Sequence, residues 1–372
     1  MYDLLWSSIE YHLIQEKMEF VNKGNDTAIL YGIVEPVTSG KSLTEPNVTE
    51  NAVQFNQRYS DALLPLSVIF GLTAFLGVIG NSLVLASYIK RRDLKDNNFR
   101  WYVFCIGSSD IATCLISIPA EIVKHRFFFI FCSNELCKAK CFVNIFFFFT
   151  AASLPCCFLV LAVDRYIWVC CSLKENFPKK ITPQLAWKLC IVALVVSLMI
   201  AVPGGIMCGA MTINVLNKSK EEILIFVCQT DEVYQGNVFT LIYRLALLVF
   251  LIVIGISLTA ICIAIYIMLH RSKMADQTTS QTEMRVNNES VLNSDSSLTS
   301  NVKLVSAMTV TVIVTYLFYI GLSFVDISNM SEAKFVLFNL TYRIYFLRCA
   351  MNPLFFGIFD DTFRKFWKTL YC

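Results

Sequence analysis

Asp164 and Arg165, followed by Tyr166, close the apolar run "FFFFTAASLPCCFLVLAV". Other polar side chains sit deep in apolar surroundings: Asn81 in "GVIGNSLVLA", Asp110 in "FCIGSSDIATCLISIP", Arg348 and Asn352 in "FLRCAMNPLFF". Taken one at a time, such residues serve as hydrogen-bonding glue between helices. An ionised group in hydrocarbon is costly, however, and needs a partner or a functional reason. A carboxylate beside a guanidinium supplies both, as a charge-assisted pair that a structural change can open. Catalytic chemistry has no such support. His12, His125 and His270 are scattered, no metal-ligand spacing occurs and no nucleophile lies beside a base, so neither an enzyme nor a cofactor is expected.

The elements that must hold these residues follow from composition. Hydrophobic residues make up 56% of the 372, charged residues 16%, and the mean hydropathy is +0.59. Phe142 to Val163 carries no charge, and about 20 apolar residues cross a bilayer as a helix. Seven apolar segments are expected as spans, over residues 63–89, 101–123, 141–169, 185–211, 238–269, 302–325 and 335–359. They lack period-2 alternation and read as helices rather than barrel strands. Of fifteen cysteines, Cys105, Cys114, Cys156, Cys157, Cys190 and Cys262 fall inside these spans, where a thiol behaves as a small hydrophobe. A net charge of +3 gives no sign of nucleic-acid binding.

Orientation follows from the basic loops. "KRRDLKDNNFR", "KKIT" and "LHRSK" flank alternate connections, which the positive-inside rule places in the cytoplasm. "KHRFFF" and "KAK" vote against, and three loops outweigh one. The N-terminus is then outside and the C-terminus inside, at the plasma membrane. The N-terminal stretch lacks the basic start and apolar core of a cleavable signal peptide. Residues 1–62 are expected to form an extracellular, disordered tail, 63–360 the seven-span domain, and 272–301 a disordered cytoplasmic loop. Sequons at Asn25, Asn47 and Asn217 lie in external segments and are expected to carry glycans; the one at Asn288 lies inside. In 361–372, Phe363, Phe366, Trp367 and Leu370 recur at helical spacing between Arg364, Lys365 and Lys368. That pattern predicts a short amphipathic helix on membrane lipids. Cys372 is a lipidation candidate, although an unmodified thiol is an equal alternative.

An Asn in span one, an Asp in span two, Asp-Arg-Tyr at the inner end of span three and Asn-Pro in span seven form an ordered set. The chain resembles the rhodopsin-like (class A) family of G-protein-coupled receptors from residue 63 to its end. The resemblance implies an all-α membrane protein, a seven-transmembrane helix bundle with a short amphipathic eighth helix. It assigns Asn81 and Asp110 to a polar core. It assigns Asp164, Arg165 and Tyr166 to coupling with a heterotrimeric G protein, and Asn352 and Pro353 to an Asn-Pro-x-x-Tyr motif whose Tyr is replaced by Phe356. It further implies a disulfide from Cys228 to the outer end of span three, at Cys141 or, one turn further out, Cys137. Several family features are absent. Ala193 holds the place of a span-four Trp, Leu258 that of a span-five Pro, and Tyr319 and Gly321 those of Trp and Pro in span six. Arg348 stands where the family's sodium pocket lies, and a pair with Asp110 in place of sodium is expected.

The ligand is read from what the outer ends offer. Phe147 holds the place of the Asp that amine receptors of this family use, and span seven has no retinal lysine after Lys334. Glu121, Phe147, Arg244, Tyr319, Asp326 and Tyr342 mix charges with aromatics, which suits an extracellular peptide, as in a neuropeptide receptor. Solvation of these charges at helix ends is the competing reading for each. A chemosensory or lipid receptor of the same family is the alternative, and a seven-span transporter or channel a third. With so short a C-terminal tail, a receptor kinase and arrestin would have to act at the Ser/Thr-rich third loop.

Overall fold

The computed structural model describes residues 56–57, 60–90, 98–127, 134–173, 181–216, 222–230, 234, 238–279, 289–322 and 332–371, with side chains for most of them. The first helices are α1 (Leu64–Lys90), α2 (Asn98–Arg126), α3 (Asn134–Leu173) and α4 (Pro183–Ile206). They are followed by β1 (Cys208–Leu216), β2 (Glu222–Thr230), α5 (Val238–Thr279) and α6 (Glu289–Leu322). The seventh span comes in two pieces, α7 (Glu332–Tyr342) and α8 (Arg348–Phe359), joined by a 3-10 turn, Ile344–Phe346. Last comes α9 (Asp361–Tyr371). Five helices, α1 to α5, have the length and apolarity to cross a membrane, and the shorter apolar stretches Val302–Phe318 and Ile344–Phe359 follow them.

Local chemistry explains the ends. Thr182 is extended and its hydroxyl accepts from Leu185 N (3.3 Å), with Pro183 at the first helical position of α4. That is a standard N-terminal signal. The same helix ends before the expected Met211: "PGG" at 203–205 closes it, and the β-branched residues beyond form an antiparallel hairpin running from Cys208↔Thr230 to Leu216↔Glu222. The hairpin is an addition to the expected all-helical architecture. Glycine is required at 205 by close packing, because a β-carbon there would overlap Ile145 of α3.

Two other segments differ from expectation. Residues 272–279 and 289–301, read as unstructured, continue α5 and begin α6, so helix runs into the third loop from both sides. At the end of the tail, Asn56 donates to the Arg126 carbonyl (2.8 Å) and Arg126 to Ser60 (2.8 Å), so these residues pack on the end of α2. The remaining tail residues lie outside those described.

The core lies where α1 to α6 and α8 meet, around Tyr102, Leu154, Phe158, Leu161, Leu258 and Phe356. On the outer faces, residues such as Phe75, Met199 and Ile256 remain exposed, as lipid-facing side chains do. α2 is regular except for a π turn, Thr113–Ser117, which begins within one helical turn of Asp110. Beside it, Ser153 of α3 donates to Ser109 (3.2 Å), and Ser117 and Thr150 share a hydrogen bond (3.3 Å).

Pro353 inside α8 has no N–H, so the carbonyl of Cys349 loses its helical donor. Asn81 of α1 replaces it, donating through Nδ2 to Cys349 O at 2.8 Å and to Gly77 O at 2.9 Å. The helices can approach this closely because Gly80 faces Pro353; a β-carbon on Gly80 would lie 2.6 Å from the ring. A helix-breaking residue in one span is thus repaired by a side chain of another. Asn81→Ala is expected to cost about 1–3 kcal/mol by leaving a buried carbonyl unpaired. In a Pro353→Ala background, residue 353 regains its own N–H and the same substitution should cost less than half as much. Thermal unfolding of the four purified proteins, followed with a thiol-reactive dye, checks this; additive losses would exclude the repair.

Candidate functional site

The polar residues singled out by sequence gather at three depths. In the middle, Asp110 is fully buried. Its Oδ2 accepts from Asn352 Nδ2 (2.6 Å), and its Oδ1 accepts from Cys349 Sγ (3.4 Å). Arg348 Nε lies 3.9 Å from Oδ1, with the guanidinium only 1% exposed. That separation is Coulombic contact rather than a hydrogen bond. Tyr316 of α6 also interacts with Arg348 and donates its hydroxyl proton to Ala151 O of α3 (2.5 Å). Three helices, α2, α6 and α8, therefore converge on one ion pair, and α3 is linked to it through Tyr316. Among the described residues no group of three or more His, Cys, Asp or Glu is arranged to hold a metal ion.

About two turns before the end of α3, Arg165 donates to Asp164 Oδ2 through Nη2 (2.7 Å) and Nε (3.1 Å), and both side chains are buried. The guanidinium also stacks over Phe99 (5.2 Å) and Trp168 (5.8 Å). Asn98 at the start of α2 donates to Asp164 Oδ1 (3.1 Å) and to Ile181 O before α4 (2.5 Å). Tyr166 is half-buried. Phe356, in the place of the expected Tyr, is buried edge-on to Tyr88 with centroids 6.2 Å apart. Tyr88 directs its hydroxyl to Asp360 (2.7 Å), tying α1 to the start of α9. On α9 itself Phe363 and Phe366 are buried while Arg364, Lys365 and Lys368 face outward.

The third cluster joins α2 to α7 at the opposite end of the bundle. Glu121, expected in the ligand pocket, accepts from Arg343 Nε (2.5 Å), with His125 at 3.4 Å and Lys124 at 3.8 Å. Arg343 also donates to Asn339 Oδ1 (2.8 Å) and lies over the Tyr342 ring (5.6 Å). The Glu121 carboxylate is therefore engaged within the protein. Tyr342 stacks on Phe338 with centroids 5.9 Å apart. Phe147, Arg244 and Tyr319 lie on α3, α5 and α6, but their side chains are outside those described. So are the side chains of Cys141 on α3 and of Cys228, which stands opposite Ala210 in the hairpin. Asp326, Asn25, Asn47, Asn217 and Cys372 lie wholly outside the described residues.

Sequence reading missed Asn98, Tyr88, Asp360, Cys349, Tyr316 and Arg343. Only Arg343 carried a signal, as a second arginine in the last span; the others are ordinary residues made polar partners by packing.

A helical bundle whose buried polar groups are shared between apolar helices is the frame of a multi-span membrane protein. The chain matches the family described as 7 transmembrane receptor (rhodopsin family) over residues 80–356, and it belongs to that family. Among curated proteins it is similar to Neuromedin-U receptor 2 of Mus musculus, 31% identical over 109 residues, covering 27% of each chain. The rat receptor of the same name is 33% identical over 94 residues, covering 23% of this chain and 24% of the relative. The Neuromedin U receptor homolog nmur-2 of Caenorhabditis elegans is 25% identical over 121 residues, 31% of this chain and 28% of its own. The matched stretches thus span about a quarter of these relatives' length.

Removing one charge of the central pair leaves the other buried alone. Asp110→Asn is expected to destabilise the protein by about 3–5 kcal/mol, and adding Arg348→Met to recover most of that loss. Unfolding midpoints of both variants check it; a double variant as unstable as the single one would show that Arg348 does not depend on Asp110.

Proposed function

We propose that this chain is a cell-surface receptor that binds an extracellular peptide and activates a heterotrimeric G protein. The reading rests on family membership, and the observation that carries it to a mechanism is the closed Asp164–Arg165 pair in the last third of α3. A guanidinium neutralised by its neighbour and flanked by aromatic rings has two available states. It can remain on Asp164, or it can turn outward to donate to carbonyls of a partner. A ligand at the far end of the bundle need only bind one state more tightly to shift the population. Asn98 holds Asp164 in the closed state, and Phe356, which has no hydroxyl, packs against Phe99 (6.5 Å), the ring over which the guanidinium lies, so the release involves Arg165 rather than a tyrosine at 356.

A peptide is favoured by the neuromedin-U receptors among the relatives and by the mixed charged and aromatic side chains expected at the outer ends. The proposed topology puts the N-terminus outside and the C-terminus in the cytoplasm, at the plasma membrane, with α9 lying on the inner leaflet. Cys228 would fasten the hairpin to Cys141 or Cys137, and Asn25, Asn47 and Asn217 would carry glycans. Desensitisation by a receptor kinase and arrestin would use the third loop.

A neuropeptide-library screen on cells expressing the full chain, read out as calcium and cAMP, is expected to give a peptide agonist. Arg165→Ala at equal surface expression should lower the agonist's maximal response by about tenfold, through loss of an interaction made only in the active state. Normal signalling by Arg165→Ala would exclude the release mechanism, and a current independent of G proteins would point to transport.

A second expectation concerns ions. With Arg348 supplying the positive charge beside Asp110, replacing potassium by sodium should leave agonist affinity within about twofold, a coupling near zero. A strong sodium effect that requires Asp110 would overturn it.

A further inference from the structure

His125, in the last turn of α2, has no part in the mechanism above, yet it is fully buried. Its ring stacks on Phe70 of α1 (centroids 5.9 Å), and Phe70 packs edge-on against Phe346 of the 3-10 turn (5.4 Å). Among the described residues neither ring nitrogen has a hydrogen-bond partner. Nε2 stands 3.4 Å from Glu121 Oε1, the oxygen that already accepts from Arg343 Nε. A buried polar ring left unpaired beside a carboxylate destabilises a fold. As packing alone, a phenylalanine would serve better there.

Among the described residues, the charged groups facing the imidazole are Glu121 and Lys124 of its own helix and Arg343 of α7, while α1 presents the Phe70 ring. One carboxylate therefore serves two cations, and a proton on His125 would make a third. A buried cation needs a counter-charge, and Arg343 holds the one within reach. Either the imidazolium takes Glu121 from Arg343, or the end of α2 parts from α7 and the charges become hydrated. Both outcomes break the Glu121–Arg343 tie. Water is close to the cluster, since the Lys124 side chain is one-third exposed. The seventh span can give at this point. Arg343 caps the 3-10 turn after α7, and α8 beyond the turn is held separately by Asp110. α7 is thus free to shift while α8 stays.

We propose that His125 is a proton-operated release for the Glu121–Arg343 tie, so that acid outside the cell frees α7 from α2. That the cluster faces outward rests on the topology proposed above; the tie and its release do not. The tied state holds the unprotonated ring and the parted state binds one more proton. The tie is therefore complete at neutral pH and is lost in acid, below the range near pH 6.5 where a hydrated imidazole titrates.

Fluorine NMR of the full chain in phosphatidylcholine nanodiscs tests it, with 4-trifluoromethyl-phenylalanine in place of Phe338. That ring stacks on Tyr342, over which the Arg343 guanidinium lies. Between about pH 7.5 and about pH 5 a second resonance is expected to grow by about tenfold relative to the first. His125→Phe keeps the stack on Phe70 and should hold the neutral spectrum at both values; His125→Asn serves if that variant does not fold. Glu121→Gln weakens the tie and should show the second resonance already at neutral pH. A spectrum that does not change with pH, or a change that survives loss of His125, would overturn the proposal. So would an acid resonance unlike that of Glu121→Gln. The readout involves neither peptide nor G protein, so its failure would leave the receptor reading standing.

Discussion

A carboxylate held at full burial is the constraint around which this bundle is arranged. Asp110 has no access to water, and its charge is met from α8 by Arg348, Asn352 and Cys349. Those three residues reach it only because α8 lies close against α1 and α2. That closeness in turn depends on Gly80 beside Pro353 and on Asn81 taking up the carbonyl that Pro353 strands. Remove the charge on α2 and the guanidinium on α8 loses its counter-charge; remove the approach of α1 and the proline break in α8 is left unrepaired. The polar centre and the helix packing are one interdependent structure, which is how buried polar networks come to specify a single arrangement.

The ionic ties are unevenly distributed. α2 is tied to the seventh span twice, by Glu121 to Arg343 and by Asp110 to Arg348, on either side of the 3-10 turn that divides α7 from α8. Asp164 and Arg165 form the third pair within α3, and Asn98 joins it to α2. Among the described residues no ion pair involves α5 or α6. These two helices hold to the rest through apolar contacts and a few neutral hydrogen bonds, among them Tyr316 to Ala151 O and Tyr243 of α5 to Ile200 O of α4 (2.8 Å), and an apolar cavity lies beside them. Among the described residues, one side of the bundle is therefore held by charge-assisted contacts, and the other mainly by non-directional packing with a few neutral hydrogen bonds. The absence of proline inside α5 and α6 fits this division: they run unbroken, so their freedom lies in how they pack rather than in a bend.

What the sequence determined by itself was whatever depends on composition and period. The spans, their order, the short amphipathic helix α9 and the polar positions Asn81, Asp110, Asp164, Arg165, Arg348 and Asn352 were all legible, because a charged or amide side chain in an apolar helix stands out wherever that helix is placed. The hairpin at 208–230 was not legible, since an apolar β-branched run beyond a helix reads equally as more helix until Pro203, Gly204 and Gly205 are given their weight as a stop. Nor was the engagement of Glu121: its type marked it as available to a ligand, and only the position of Arg343 on another span shows its carboxylate taken. Tertiary structure alone decided the partners. Asn98, Tyr88, Cys349 and Tyr316 acquired their roles from distances between helices far apart in the chain, and a hydrogen bond acts over about 3 Å, a separation that local sequence pattern does not encode.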